Sequence, residues 1–410
     1  MNTTINAFNG GVTSAKGFKA SGIHCGLRKN KGKYDLACIF ASHRCPTAAV
    51  YTTNRVFSSP ITVTRENLAD GMAQAVICNS GNANTCNGDG YETASQMGEL
   101  LAEGLGIDKK DIVVASTGVI GVPLPIEPIK NGIPALVAAL GDDEKAETDA
   151  ATAILTTDIK MKKTAVSFEL DGKTVTIGGM CKGSGMIQPN MATMLGFVTT
   201  DAAITSAMLQ KALREAVADS FNMVSVDGDT STNDMVCVMA SGEAGNNEIA
   251  YENEAYTLFV EGLKKVCTYL AMAIAADGEG ATKLLQCNVI NFSDKTGARL
   301  LAKSVIRSSL VKAAMFGSDA NWGRVLCALG YAGVDFDPQK VDLYFRSKEG
   351  AIAVCRDGKG LPFDEDEAKK ILLAKHVFID CDMKDGDQRA TAYGCDLSYE
   401  YVRINGDYRS

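Results

Sequence analysis

The 410-residue sequence predicts an α/β (α+β) protein. Apolar positions at helical spacing take turns with strand-like alternation along the whole length, which is the mixed-class signature. Glycines gather in short polar stretches between those elements, such as GNANTCNGDG at 81–90 and KGSG at 182–185, and these look like site loops. A third observation is local: AVSFEL and KTVTIGG flank Asp171-Gly172, a dipeptide favoured by the two-residue type I′ turn, which predicts a β-hairpin over 165–179. In chain order the periodicity predicts helices near 91–105 and 143–155, then the hairpin, then helices over 205–221 and near 254–274. Helix 205–221 places Leu209, Ala212, Leu213, Ala216 and Ser220 on one face, with Thr205 or Ser206 as N-cap.

Hydrophobic residues make up 46% and charged residues 22%, so the chain can bury a large core in two or three domains without staples. No Pro-rich or Ser-rich linker and no repeat marks a boundary. No run of 18 apolar residues occurs, and the opening MNTTINAFNGGVTSAKGF lacks a basic and then apolar leader, so neither membrane nor secretion is expected. The net charge of −8 gives nucleic acid no overall electrostatic footprint. Thirteen cysteines, an odd number without a CxxC pair, read as buried free thiols of a cytoplasmic protein.

Histidine is scarce. His24, His43 and His376 are widely separated, and no set of ligands around His24-Cys25 or His43 and Cys45 completes a metal site, so none is expected. The acidic stretch VSVDGDTSTNDMV lacks the glycine and glutamate of an EF-hand loop and reads as turn chemistry. ADGEGATK at 276–283 lacks the order of a P-loop. The informative stretch is CKGSGMIQPNMATMLGFVTTD, 181–201. A threonine hydroxyl is a weak nucleophile, but cleavage of the bond before Thr193 would free an α-amine to serve as its base. Such an amine has a reference pKa of about 7.7–8.0, so near neutral pH part of it is unprotonated without any histidine.

The segment KGSGMIQPNMATML resembles the autocleavage motif of the glutamate N-acetyltransferase family, the ornithine acetyltransferases of arginine biosynthesis. GNANTCNG, ASTGVIG, AILTTD, DGDTSTND, DGEGATK, SDANWGR and YVRINGDY resemble further family blocks in the family's order, as do GFKASGIHCGLR, DLACIF and AAVYTTNRV near the start. The resemblance therefore covers essentially the whole chain. It implies a layered αββα sandwich shared with self-processing aminopeptidases, in two domains. It also implies a precursor that cuts itself between Ala192 and Thr193 into an α-chain, 1–192, and a β-chain, 193–410, assembled as an α2β2 heterotetramer.

The implied reaction is ping-pong acetyl transfer from N2-acetyl-L-ornithine to L-glutamate through an acetyl-Thr193 intermediate, releasing ornithine and N-acetylglutamate. By the same resemblance Thr117 and Gly118 form the oxyanion hole. Lys182 binds the substrate carboxylate, Glu279 contacts the ornithine ammonium, and Thr156, Asn405 and Ser410 complete the substrate contacts, with Thr157 a neighbouring alternative to Thr156. No cofactor is implied. Acetyl-CoA as a second donor to glutamate, the bifunctional case, is left open, since no adenine-nucleotide motif bears on it. Gln188 and the Arg409-Ser410 ending depart from the family's usual residues, and neither removes a group the chemistry requires. The rival readings are a self-processing N-terminal-threonine aminopeptidase or amidase on the same fold, and an uncleaved chain that binds acetylated amino acids.

Overall fold

The computed structural model describes residues 4–188 and 194–406. The expected helices are Gly90–Leu105, Glu144–Ala153, Ser206–Ala218 and Glu254–Ala276. The third starts where Thr205 caps it, accepting from the Met208 N–H, while the Ser206 hydroxyl instead donates to the Gly71 carbonyl. It ends before the expected residue 221. The Ser220 hydroxyl donates to the Ala216 carbonyl at 2.6 Å, and the backbone of Ser220 leaves helical geometry ahead of a short 3-10 turn, Phe221–Met223. The hairpin is longer than expected, Lys162–Leu170 and Lys173–Lys182, and Asp171 and Gly172 at its tip both have positive φ, 52° and 70°, as a type I′ turn requires.

Among the described residues the strands form two sheets of nine and seven. The larger runs in the order Asn6–Phe8, Lys162–Leu170, Lys173–Lys182, Leu195–Thr200, Met235–Ala240, Leu36–Tyr51, Met72–Asn82, Ile112–Val119, with Phe18–Ile23 also paired to Leu36–Tyr51. That 16-residue strand is the joint of the fold. Its first part pairs with Phe18–Ile23 and Met72–Asn82, and after a break in register between Phe40 and Cys45 its end pairs with Met235–Ala240. The sheet thereby folds over on itself, and strand alternation sorts the side chains. Met235, Cys237 and Met239 meet Val113, Ala115, Val76 and Ile39 in a core between the two halves. Val236 and Val238 point the other way, onto Ser206–Ala218 and Glu254–Ala276. Ile112 and Val114 face helices Gly90–Leu105 and Ile126–Ala138. The result is helix, sheet, sheet, helix. Each fully buried Val or Ile contributes roughly 1.5–3 kcal/mol, so the alternation holds the two faces of each strand to their own layers.

The seven-stranded sheet carries its own core under helices Lys295–Arg307, Ser309–Gly317, Trp322–Gly330 and Glu365–Leu372. Its strands Leu284–Phe292 and Gln388–Cys395 contact Glu254–Ala276, which ties it to the layered body. The chain boundary expected at 192/193 falls between Lys173–Lys182 and Leu195–Thr200, neighbouring antiparallel strands of one sheet. Among the described residues no helix is long and apolar enough to cross a membrane.

Candidate active site

Six of the expected site residues come together. Thr117, Gly118, Thr156, Lys182, Glu279 and Asn405 line one cavity of about 130 Å³, with Thr157, Ser231 and Asn233 beside them. Ala192, Thr193 and Ser410 lie outside the described residues. Strand Ile112–Val119 delivers Thr117 and Gly118 at its end. The Thr117 hydroxyl has no hydrogen-bond partner among the described residues and is open to the cavity. Gly118 sits at φ 137°, where a Cβ would collide with the backbone of Gly81 and Asn82 across the parallel pairing, so glycine is required there.

Lys182 ends the second hairpin strand with its ammonium 3.6 Å from the Asp158 carboxylate. Asp158 organises this side of the cavity. It accepts from the Thr156 N–H at 3.0 Å and the Gly183 N–H at 2.6 Å, and it pairs with buried Lys162 at 2.7 Å. Lys162 in turn pairs with Asp277 at 2.6 Å, and Asp277 accepts the N–H groups of Ile159 and Lys160. Burial opposes the Asp158 charge, but Lys182 and Lys162 outweigh it and hold the carboxyl well below the usual carboxylate range. For Lys162, likewise, burial pulls down while Asp158 and Asp277 raise it further, so both partners stay charged.

Glu279, in the same cavity lining, accepts from the Asn405 amide at 2.8 Å, and its own N–H bonds the Ser184 carbonyl. A Cβ at Gly185 would overlap the Glu279 carboxylate, so that glycine makes room for it. Thr157 and Ser184 share a hydrogen bond at 2.6 Å, and both Thr156 and Thr157 reach the cavity. The pocket lining thus offers both a cation, Lys182, and a carboxylate, Glu279, which suits a zwitterionic amino acid.

The segment 227–234, expected as turn chemistry, does more than turn. Asp227 accepts from the N–H groups of Met186 and Ile187 and anchors the approach to the expected cleavage site. Asn233 donates to the Ala83 and Ser116 carbonyls and accepts from Thr85 and Thr232, which clamps GNANTC and the Thr117 strand together. Asp234 is buried beside a smaller cavity lined by Thr117, Lys182, Ser231 and Met194, the residue that follows Thr193 in the chain. Burial pushes its carboxyl well above the usual range, only partly offset by the Ser231 and Thr52 hydroxyls, Lys182 and the Met194 N–H. Its Oδ2 has no hydrogen-bond partner among the described residues. Asp158, Ser231 and Asn233 are not singled out by the sequence, and Asp234 enters there only as one of the acidic residues of a stretch read as turn chemistry. Their only sequence signal was position inside the AILTTD and DGDTSTND blocks.

The histidines lie elsewhere: His24 is 3.0 Å from Asp35, His43 is 3.8 Å from Glu243, and His376 stacks on Phe378. Ten of the thirteen free cysteines are buried, and burial raises the thiols of Cys38, Cys78, Cys181 and Cys237 far above the usual value.

Fold and pocket together define an α/β enzyme for a small charged metabolite, with its site where the two inner sheet layers meet loops from both halves of the sequence. The chain matches the ArgJ family over residues 19–410. It is 50% identical over 407 residues to the arginine biosynthesis bifunctional protein ArgJ of Caldanaerobacter subterraneus subsp. tengcongensis, covering 99% of this chain and all of that protein. It is 51% identical over 403 residues to the protein of the same description from Symbiobacterium thermophilum, covering 98% and 99%. A crystal structure of the ArgJ protein of Bacillus halodurans aligns with 43% identity and a TM-score of 0.50, over 53% of this chain and all of that one. The chain belongs to the ArgJ family, and is an enzyme of the glutamate N-acetyltransferase class that its sequence blocks resemble.

Proposed function

We propose that this enzyme transfers acetyl from N2-acetyl-L-ornithine to L-glutamate through an acetyl-enzyme on Thr193, after cutting itself between Ala192 and Thr193. The observation that carries the reading is convergence: Thr117, Gly118, Thr156, Lys182, Glu279 and Asn405, from five separate sequence blocks, line one cavity of amino-acid size. In the first half-reaction the Thr193 hydroxyl attacks the acetyl carbonyl and its own α-amine takes the proton. The Thr117 hydroxyl and Gly118 N–H receive the oxyanion, a contribution of several kcal/mol when donors are prearranged. Lys182 holds the α-carboxylate and Glu279 the side-chain ammonium of ornithine, with Thr156 and Asn405 beside them and Ser410 a further substrate contact by the family resemblance. Ornithine leaves, and glutamate then takes the acetyl group from Thr193.

The solved Bacillus halodurans chain supports the cut. It aligns in full with 53% of this chain, the share that residues 193–410 make up. Lys182 and Glu279 in one cavity match the carboxylate and side-chain ammonium of acetylornithine, and with membership of the ArgJ family they favour an amino-acid acyltransferase over the aminopeptidase or amidase alternative. Acetyl-CoA serves as a further donor in this reading, the chains assemble as α2β2, no cofactor or metal takes part, and the enzyme works in the cytoplasm.

Thr193→Ala tests it directly. The variant is expected to stay one chain and to lose acetyl transfer by at least about 10⁴-fold, because hydroxyl and nucleophile are the same atom. A Thr193→Ala protein that cleaves at 192/193, or that transfers acetyl at the wild-type rate, overturns the assignment.

A further inference from the structure

A cleft of about 880 Å³ shares no lining residue with the acetyl-transfer cavity among the described residues. It is bounded by the end of strand Leu36–Tyr51 with the segment that follows it, by helix Ser59–Asn67 and by helix Ser206–Ala218. Each of the three contributes one exposed arginine: Arg55 from the segment, Arg65 and Arg214 from the helices. Among the described residues no carboxylate lines the cleft, and none of these arginines has an ion pair. In a chain of net charge −8, three unpaired guanidinium groups meeting in one concavity are a local reversal of sign.

The neighbouring acids are committed elsewhere. Glu66, next to Arg65, accepts from the Tyr91 hydroxyl at 2.6 Å, Glu215, next to Arg214, accepts from the Tyr256 hydroxyl at 2.9 Å, and Asp70 pairs with Arg44. Arg65 is held by rings instead: its guanidinium carbon lies 4.8 Å from the Tyr51 ring centre and 5.3 Å from that of Phe57. A guanidinium oriented by aromatic rings keeps its N–H fork for a carboxylate or a phosphate. The cleft is also wired to the acetyl-transfer site. The Thr52 N–H donates to the Asp234 carbonyl at 3.0 Å and its hydroxyl to the Ser231 carbonyl at 2.8 Å, the Asn54 amide donates to the Thr230 carbonyl at 2.9 Å, and the Ser58 N–H to the Thr232 carbonyl at 3.0 Å. Ser231, Thr232 and Asn233 line the inner cavity, so the segment that bounds the cleft also props the site.

We propose that this cleft is a second ligand site, taking a compact polyanion with two or more carboxylate or phosphate groups that meet Arg55, Arg65 and Arg214. More than one anionic group is required because a monoanion leaves at least two of the three guanidinium groups uncompensated. The ligand does not react there. It joins the two helices to segment 52–58, and through the four hydrogen bonds of that segment it steadies 230–234, a regulatory position for the site that Ser231, Thr232 and Asn233 line. The inference does not depend on the acetyl-Thr193 reading, and its readout is binding.

The test is isothermal titration calorimetry of the purified full chain with inorganic pyrophosphate, citrate and acetate. At least one of the two polyanions is expected to bind about ten-fold or more tightly than acetate, with an affinity that falls as salt rises, and whichever is tighter tells a phosphate ligand from a carboxylate one. An Arg65→Gln/Arg214→Gln variant is expected to lose about ten-fold or more in that affinity, and Arg55→Gln, in the segment between strand and helix, to lose part of it. A Lys29→Gln/Lys33→Gln control, which removes two exposed cations that do not line the cleft, is expected to bind as wild type does. Saturating N-acetylornithine is expected to leave the binding in place, and hydrogen exchange at the Thr52 and Ser58 amides is expected to slow when the polyanion binds. Polyanions that bind no more tightly than acetate, affinity unchanged in both arginine variants, or displacement by N-acetylornithine overturns the proposal.

Discussion

At the scale of single residues, the substrate side of the pocket depends on a carboxylate that touches no expected substrate atom. Asp158 stands between Lys182 and Lys162 and fixes the backbone of Thr156 and Gly183, so one group sets both the cation and the hydroxyl of the site. Asp158→Asn keeps the shape and removes the charge. It is expected to raise KM for N-acetylornithine about ten-fold while changing kcat less, because the Lys182 ammonium loses the partner that orients it. Stability is expected to fall by ~3–5 kcal/mol, since Lys162 is left buried with Asp277 alone. Steady-state kinetics and urea unfolding check both parts, and unchanged KM contradicts the positioning role. Sequence blocks made Thr117, Gly118, Thr156, Lys182, Glu279 and Asn405 legible as candidates. Asp158 and Asn233 were not, and Asp234 was legible only as part of an acidic turn, because what distinguishes them is burial and partners supplied by distant segments, as when Asn233 bonds Ala83 and Ser116. Within DGDTSTND itself, turn chemistry is a sufficient explanation.

At the scale of elements, short-range signals carried far. The Asp171-Gly172 turn and the Thr205 cap are decided by a few neighbouring residues, and both form as the sequence predicts. Strand Leu36–Tyr51 was not legible as one element, because it breaks register near its middle and changes partners, so no single alternation runs its length. The end of strand Ile112–Val119 carries the chemical consequence. Gly118 pairs with Gly81 so closely that no side chain fits. Gly118→Ala is expected to push that strand end away from Met72–Asn82 and lower kcat by about 10²–10³-fold, the usual cost of a displaced oxyanion donor. A Gly118→Ala enzyme with wild-type kcat contradicts the placement of the oxyanion hole.

At the scale of the whole molecule, periodicity announced the mixed class, whereas the layer order came from family resemblance. The stacking depends on which strands pair across long separations, and alternation within a strand does not encode its neighbours. The larger sheet also sets the fate of the processed chains. Leu195–Thr200 and Met235–Ala240 lie between Lys173–Lys182 and Leu36–Tyr51, so strands of the expected β-chain are flanked on both sides by strands of the α-chain. Phe197 and Met235 share a core with Met180 and Ile39 across the same division. The two chains are therefore expected to elute together in size-exclusion chromatography and to separate only in denaturant. A free chain of either kind in native buffer contradicts this.

The measurement that bears most directly on the central claim is the intact mass of denatured protein before and after N-acetylornithine is added. From 43.3 kDa, division at 192/193 gives fragments of about 20 kDa and about 23 kDa, and the larger is expected to gain about 42 Da as an acetyl ester on Thr193. A single species of 43.3 kDa, or two fragments with no acetyl gained by the larger one, contradicts covalent transfer through an exposed N-terminal threonine.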